Sequence, residues 1–182
     1  MRVFNLYLPR SASQIPDFLG YTMAERMGGL VVPHAFPVHF RLNRKFDGLR
    51  VFLEQIDPDF LNRRNYGTGP LFIGDIDSQM IYGKRPRARL FESTEGWEIQ
   101  SEIKSPTDQE LKEFQKPLSA MIELLKKSPS AEFNDKIEQV LDVPMTLRYM
   151  AFLEIVNSVH VDSTHNQKYF FDKKANILHP VV

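Results

Sequence analysis

The sequence of 182 residues contains no cysteine. This absence excludes disulfide bonds, catalysis by a thiolate and zinc sites with cysteine ligands. No stretch reaches the roughly 18–20 consecutive apolar residues that a membrane-spanning helix needs. The opening stretch MRVFNLYLPRSASQIP has an apolar run that is too short and too often interrupted for a signal peptide. The sequence therefore predicts no membrane span and no export signal within the chain, and it leaves the compartment of the protein open.

An excess of either charge is absent as well. The 23 Lys and Arg residues balance the 23 Asp and Glu residues, so the formal net charge is zero. We therefore expect neither nucleic acid nor an anionic membrane as a partner, because such partners favour a basic excess. Apolar residues make up 42% of the chain and aromatic residues 12%, which is typical of a globular protein. The length suits one domain, and two unequal lobes fit within it.

The first half of the chain is rich in predicted strands. RVFNLYL alternates in the way of a strand, and SQIPDFLGYTMAERMGG reads as a helix that ends at its two glycines. A hairpin is predicted around residues 43–48, with Asp47-Gly48 as its turn. Asp57-Pro58 begins a short helix. Residues 69–103 are predicted to hold short strands in GPLFIGDI, ARLFES and GWEIQSEI.

The second half is rich in predicted helices. TDQELKEFQKPLSAMIELLKK carries a capping box of Thr107 and Glu110, and EFNDKIEQVLD predicts a shorter helix. VPMTLRYMAFLEIVNSV is apolar almost all round, so we expect a fully buried helix. KYFF and ILHPVV around the turn DKKAN predict a final hairpin. This order indicates an α+β fold with a β-rich lobe, residues 1–103, and a helical lobe, residues 104–182.

The short segment between the last helix and the last hairpin concentrates polar residues that support chemistry. Asp162 can orient the hydroxyl of a substrate, and Asn166 can bind a divalent metal through its amide oxygen, which is the pairing that phosphoryl transfer requires. By spacing alone, an ordinary helix-exit loop explains the same residues, because Asp, Ser, Thr and Asn bond to local backbone. A zinc site of His160, His165 and Asp162 is a third interpretation, but no H-E-x-x-H pattern supports it.

Two other features invite a functional interpretation. Glu54 ends an apolar strand, where it faces either solvent or a ligand at a hinge between lobes. The basic stretches NRRNYG and GKRPRAR are able to bind an acidic or phosphorylated partner, although such runs are more often solvated surfaces. Spacing alone does not decide between these alternatives.

Two segments together resemble the CotH-type spore-coat kinase-like proteins of bacteria. In LNRKFDGLRVFLEQIDPDFLNRR, the positions of Gly48, Phe52, Glu54 and Asp57 follow the strand, turn and acidic pattern of that family. LDVPMTLRYMAFLEIVNSVHVDSTHNQKYFFD is similar to its later signature, in which a hydrophobic helix is followed by Asp, then His-Asn and an aromatic strand. The resemblance covers residues 35–65 and 140–182, and the two segments occur in the order that the family has.

The resemblance implies an atypical protein-kinase-like fold of two lobes, with ATP and Mg²⁺ as cofactors and Ser or Thr residues of partner proteins as phosphate acceptors. It gives Asp162 the catalytic role and Asn166 a metal-binding role. It places Glu54 in the hinge strand next to the nucleotide. Arg2 falls at about the position of a basic residue that lies near the phosphates.

The chain departs from the family pattern at both ends and lacks an expected Lys in LYLPRSAS. Relatives usually carry a Pro-Trp-Asp-like segment, whose Asp binds Mg²⁺, where this sequence ends at ILHPVV. We therefore expect a domain cut at both ends that is weakly active or inactive as it stands, since phosphoryl transfer depends on charge neutralisation. The alternatives are a non-catalytic pseudokinase or coat-assembly scaffold, and a metal-dependent hydrolase that uses His160, Asp162 and His165.

Overall fold

The computed structural model describes residues 4–8, 15–67, 69–76, 89–158 and 161–182. The chain divides into two compact units. The first contains the residues up to Ile56 together with Val182, and the second contains Asp57–Val181. Helices alternate with antiparallel sheets in the chain as a whole, so the mixed helix-and-sheet class predicted from the sequence is confirmed.

The first unit is a three-stranded antiparallel sheet with one helix. Its elements are β1 (Phe4–Tyr7), α1 (Ile15–Met27), β2 (Ala35–Leu42) and β3 (Lys45–Glu54), and the strand order is β1-β3-β2. Helix α1 ends where predicted, because Gly28 and Gly29 take φ values of 67° and 65° that stop a helix. Its predicted cap, Ser13, lies outside the described residues.

The turn of the β2–β3 hairpin lies four residues earlier than predicted. Asn43 and Arg44 form it, with φ values of 49° and 67°, and Leu42 pairs with Lys45 across it. Two successive residues with positive φ make the two-residue turn whose twist matches the flanking strands. The predicted turn at Asp47-Gly48 is therefore wrong: both residues lie within β3. Gly48 takes a φ of 99° in that strand, which explains why a glycine stands there without making the turn.

The second unit is built around a four-stranded antiparallel sheet. Its strands are β4 (Leu71–Gly74), β5 (Trp97–Gln100), β6 (Gln167–Asp172) and β7 (Ile177–Pro180), in the order β5-β4-β6-β7. The final hairpin is thus confirmed, and its strands join two strands from the β-rich half of the sequence. ARLFES was predicted as a strand, but residues 90–92 form a turn instead. Trp97 fixes that turn by donating its indole N–H to the carbonyl of Leu90 at 2.7 Å.

Within its described residues, this unit has four α-helices: α2 (Pro58–Arg63), α3 (Asp108–Leu125), α4 (Ala131–Lys136) and α5 (Val143–Ile155). The predicted signals at the starts of α2 and α3 are confirmed. Asp57 accepts a hydrogen bond from the Phe60 amide at 2.6 Å, and Thr107 with Glu110 makes the full capping box of α3. Pro117 lies inside α3, and the helix continues past it to Leu125.

Helix α3 covers one face of the sheet and forms the hydrophobic core of the unit. The core residues that are most deeply buried come from α3, from the sheet and from the segment between β4 and β5, and they include Phe72, Ile76, Leu90, Leu118, Met121, Ile122 and Leu178. A glycine is required within this core at position 74. A Cβ atom there would lie 2.8 Å from Leu90 Cδ1 and 2.9 Å from the Trp97 ring, which is closer than packing allows. The sheet that carries the polar loop of residues 162–166 therefore rests on a well-packed core.

Helix α5 differs from its prediction. Its sequence is apolar nearly all round, and full burial was expected, yet only Tyr149 and Phe152 are buried. Leu147, Met150 and Ile155 keep more than half of their surface exposed, with Leu147 at 61%. A sequence pattern shows which side chains favour burial, but the number of packed neighbours decides how many faces are covered. None of the helices in the described ranges is both long and apolar enough to cross a bilayer.

We expect Leu118→Ala and Leu147→Ala to differ sharply in their effect on the stability of this unit. Leu118 is fully buried, so its truncation leaves a cavity and should lower the free energy of unfolding by about 3 kcal/mol. Leu147 is exposed, and the same truncation should change it by about 0.5 kcal/mol or less. Urea titration followed by the fluorescence of Trp97, the single tryptophan of the chain, reports on this unit. Equal effects of the two changes would contradict the assigned core.

Candidate functional site

The candidate site is the loop of residues 161–166, between α5 and β6. Helix α5 begins at the cap Asp142, whose Oδ1 accepts from the Met145 amide at 2.9 Å, and it ends at Ile155. Asn157 then takes a φ of 49°, which turns the chain out of the helix. Val159 and His160 lie outside the described residues. The polar residues that follow therefore stand directly before a core strand.

One oxygen of the Asp162 carboxylate organises the loop. Asp162 Oδ1 accepts from the Thr164 amide at 2.7 Å, from the Thr164 hydroxyl at 2.7 Å and from the His165 amide at 2.9 Å. This is the local side-chain-to-backbone bonding that Asp favours. The side chain is still about half exposed, at 51% of its full surface. Among the described residues, the hydrogen bonds of the carboxylate converge on Oδ1, so Oδ2 is left to meet a ligand.

These hydrogen bonds lower the pKa of Asp162. The Thr164 hydroxyl makes the largest contribution, and the amides of Thr164 and His165 and the nearby His165 ring add to it, while partial burial acts in the opposite direction. Asp162 is therefore a fixed, ionised carboxylate at neutral pH. Such a group accepts a hydrogen bond from an alcohol and holds its oxygen in a defined position.

The hydrogen bonds also assign the tautomer of His165. Its Nδ1 lies 2.6 Å from the Thr164 hydroxyl oxygen and 3.5 Å from Asp162 Oδ1. An ionised carboxylate only accepts, so the Thr164 hydroxyl donates its single proton to Asp162. The same hydroxyl must then accept from His165, which places a proton on Nδ1. His165 thus supports the loop through Thr164 and its Nδ1 is not available as a metal ligand in this arrangement.

Backbone hydrogen bonds fix the loop from outside. The carbonyl of Thr164 accepts from the Ile76 amide at 2.9 Å, and the carbonyl of Ser163 accepts from the Leu90 amide at 2.8 Å. Gln167, a buried polar residue, donates from Nε2 to the carbonyl of Asp162 at 2.9 Å. The contributions of Ile76, Leu90 and Gln167 to the loop were not predicted from the sequence. Two of them act through backbone atoms and leave no residue-type signal, whereas the buried Gln167 gives a weak one.

Asn166 is the second predicted site residue in the loop. It takes a φ of 57°, a left-handed conformation that Asn tolerates better than most residues, and it directly precedes β6. Its amide and the Asp162 carboxylate supply oxygen donors of the kind that Mg²⁺ takes. Across the described ranges, no group of three His, Asp and Glu residues is close enough to hold a metal ion by itself. The residues therefore fit a cation that one or two protein oxygens hold together with phosphate oxygens.

Of the other two predicted residues, the structure describes Glu54. Glu54 is the last residue of β3 in the first unit, where it pairs with Phe4. Its Oε2 lies 3.4 Å from the His34 amide, and its own amide donates to the His34 carbonyl at 2.9 Å. Arg2 lies outside the described residues, as does His160 of the alternative zinc site. Asp162 and Asn166 are thus brought together in one loop, and Glu54 belongs to a different unit.

Lys168 is a charged residue of this region that sequence analysis did not single out. It lies on β6, two residues after Asn166, and faces Ile73 across the strand pair. Burial lowers the pKa of Lys168, and the Asp75 carboxylate partly offsets this effect. A lysine inside an aromatic strand resembles an ordinary surface lysine in sequence, so only its surroundings reveal it.

Comparison with protein families decides the family of the chain. The family model described as CotH kinase protein matches residues 12–178. The chain belongs to the CotH kinase family. No curated protein is similar enough to the chain to give a match.

Family membership confirms the resemblance seen in the sequence and supports a kinase-like function. The matched range contains the whole loop of residues 161–166 as well as Glu54, while Arg2 lies before it. In this CotH kinase chain, the signature that runs from α5 into β6 therefore contains a loop that side-chain and backbone hydrogen bonds hold in place.

We expect Thr164→Val to raise the pKa of Asp162 towards the ordinary value of an Asp. Valine keeps the shape of threonine but lacks the hydroxyl, which makes the largest contribution to the lowered pKa. Titration of the Asp162 carboxyl carbon by NMR measures the change. Ser163→Ala removes a neighbouring hydroxyl that does not bond the carboxylate and serves as the control. An unchanged pKa in Thr164→Val, or an equal rise in Ser163→Ala, would contradict this assignment.

The same variant should alter how stability depends on pH. A carboxyl with a lowered folded-state pKa stabilises the fold above its unfolded pKa of about 3.9, and this contribution disappears as the pH falls through the folded pKa. Thr164→Val should therefore lose less stability than the wild type over that acid range. Thermal unfolding at a series of pH values would show it, and identical profiles would argue against the stabilising role of the hydroxyl.

Proposed function

We propose that this chain is an ATP- and Mg²⁺-dependent protein kinase domain that transfers phosphate to Ser or Thr residues of a partner protein. The observation that carries the proposal is the ionised, hydrogen-bonded Asp162 carboxylate in a chain of the CotH kinase family. Phosphoryl transfer requires little covalent chemistry from a protein and relies on positioning and electrostatic stabilisation. A fixed carboxylate in a half-exposed loop suits that requirement.

In this proposal, Asp162 is the catalytic residue and receives the acceptor hydroxyl. Its free oxygen, Oδ2, accepts a hydrogen bond from the Ser or Thr side chain and holds the oxygen towards the phosphate. A low pKa does not conflict with this role, because orientation of the nucleophile matters more here than strong basicity. Thr164 and His165 prevent rotation of the carboxylate and so act as positioning residues.

Asn166 is proposed to hold Mg²⁺ together with the phosphate oxygens of ATP. The bound cation supplies neutralisation of the charge on the phosphates. The backbone of Asn166 has a positive φ and leads directly into β6. The strand therefore fixes the position of the Cα atom that carries the side-chain amide. In this proposal the chain contributes the amide oxygen of Asn166 as a ligand of the cation, and the nucleotide contributes phosphate oxygens.

Glu54 and Arg2 are proposed to contact the nucleotide, as the family resemblance implies. For Glu54, the support is its place at the end of β3, where the carboxylate is only partly covered. The kinase-like arrangement of a β-rich lobe, residues 1–103, and a helical lobe, residues 104–182, belongs to the same proposal. The acceptor is a protein chain whose identity these residues do not specify.

A non-catalytic role in assembly is the second candidate. It is favoured by the exposed apolar side chains of α5, namely Leu147, Met150 and Ile155, because exposed apolar groups of this size are typical of contact surfaces. A pseudokinase or scaffold would bind its partner without depending on the charge of Asp162. The two functions therefore differ in their response to the same substitution.

We expect Asp162→Asn to reduce phosphotransfer by about 100-fold or more while leaving Mg-ATP binding within a few fold of the wild type. The amide oxygen of asparagine still accepts the loop hydrogen bonds, so the loop keeps its shape while the negative charge is lost. Transfer from labelled ATP to protein measures activity. Mg-ATP at about 100 times its dissociation constant should stabilise the folded chain by about 2.7 kcal/mol, which thermal unfolding detects.

Asp172→Asn is the matched control for this experiment. Asp172 also accepts hydrogen bonds from two backbone amides through one oxygen, those of Lys174 at 2.8 Å and Ala175 at 3.1 Å, but it lies at the far end of β6, before the turn of the final hairpin. The control should transfer phosphate as the wild type does. If the wild type gains no stability from Mg-ATP, or if Asp162→Asn and Asp172→Asn behave alike, the kinase proposal is wrong and the scaffold role gains support.

A further inference from the structure

Lys168 stands at the start of β6, immediately beside the candidate site. Gln167, the first residue of that strand, is tied to the carbonyl of Asp162 by its side chain, so β6 begins against the loop. Because a strand advances about 3.3 Å per residue, the Cα atom of Lys168 lies within about 7 Å of that of Asn166. The backbone pairing with Ile73 and the hydrogen bond from the Val181 amide to the Lys168 carbonyl at 2.9 Å fix this position.

The ammonium group of Lys168 is held in a place that favours an anion. The side chain is only partly exposed, and removal of an ammonium from water is costly unless an opposite charge compensates it. Within the described part of the chain, no carboxylate lies close enough to Lys168 to form an ion pair with it. Asp75 acts on it electrostatically from a greater distance and is itself exposed to solvent. The local charge of Lys168 is therefore only partly balanced by the protein.

Several groups can be excluded as the intended partner of this cation. Asp162 is engaged in the hydrogen bonds of its own loop and is not among the charges that act on Lys168, and Asp172 caps the turn at the far end of β6. Glu98 also faces Ile73, but from the opposite side, since β4 lies between β5 and β6. A multiply charged anion that enters beside the loop would compensate Lys168 better than any of these carboxylates.

Resting on the function proposed above, we infer that Lys168 binds a phosphate group of the nucleotide and thereby positions it beside Asp162 and Asn166. Lysine is a compact point charge on a long stem, and it is a common ligand for phosphate. The anion would compensate the charge of the partly buried ammonium. The ammonium would in turn place a positive charge next to the phosphates, on the side where β6 lies. Lys168 thus determines specificity for the phosphorylated part of the nucleotide.

The test compares the binding of Mg-ATP and of adenosine to Lys168→Met. Loss of a charge-assisted contact should weaken Mg-ATP about tenfold or more, whereas adenosine, which has no phosphate, should bind as it does to the wild type. Lys168→Arg keeps the charge and should bind Mg-ATP within about threefold of the wild type. Lys174→Met, in the exposed hairpin turn, is the matched control and should change neither titration. Calorimetric titration of the whole chain measures all four proteins.

The outcomes separate this inference from the proposed function. If the wild type binds Mg-ATP and Lys168→Met binds it equally well, the inference is wrong and the kinase proposal stands. If Lys168→Met weakens ATP and adenosine to the same degree, the lysine has a structural role and the inference also fails. In that case, loss of the electrostatic interaction between Asp75 and Lys168 would destabilise the fold, so Asp75→Asn and Lys168→Met would both lower the melting temperature. If the wild type binds no Mg-ATP, both proposals are overturned together.

Discussion

The hydrogen bonds to one oxygen of Asp162 are the interaction on which the rest of the site depends. They hold the loop in shape and keep the carboxylate ionised by lowering its pKa, while about half of the side chain stays exposed. Thr164 is central to this arrangement because its hydroxyl links Asp162 to His165. One short stretch of chain thus provides a negative charge in a fixed position, which is what a hydroxyl-orienting group requires.

The core of the second unit gives this loop its rigidity. The loop leads into β6, and Tyr169 on that strand belongs to the same hydrophobic cluster as Phe72 and Leu118. The carbonyls of Ser163 and Thr164 accept from amides of Leu90 and Ile76, two residues that are themselves buried in the cluster. The position of Asp162 is therefore coupled to packing, so a cavity far from the loop is expected to disturb the site as well as the stability.

Short-range signals allowed much of the fold, and the place of Asp162 and Asn166 in a loop before the final hairpin, to be predicted from sequence. The Thr107–Glu110 capping box and the signatures around Glu54 and Asp162 each consist of residues that are close together in the chain. They can therefore be recognised in a single sequence. The turn at Asn43-Arg44 was missed because Asp-Gly is the stronger turn signal, and the exposure of Leu147 was missed because packing depends on distant parts of the chain. Lys168 was missed for the same reason, since burial by other strands gives it its character.

The most direct test of the account is to replace Mg²⁺ by paramagnetic Mn²⁺, which accepts similar oxygen ligands, and to add it with ATP during NMR measurement of the backbone amides. The account predicts that the amides of Asp162 and Asn166 broaden at low Mn-ATP concentration. The exposed turn at Lys174 should remain sharp. Broadening confined to other parts of the chain, with sharp signals from Asp162 and Asn166, would contradict the assignment of this loop as the phosphotransfer site.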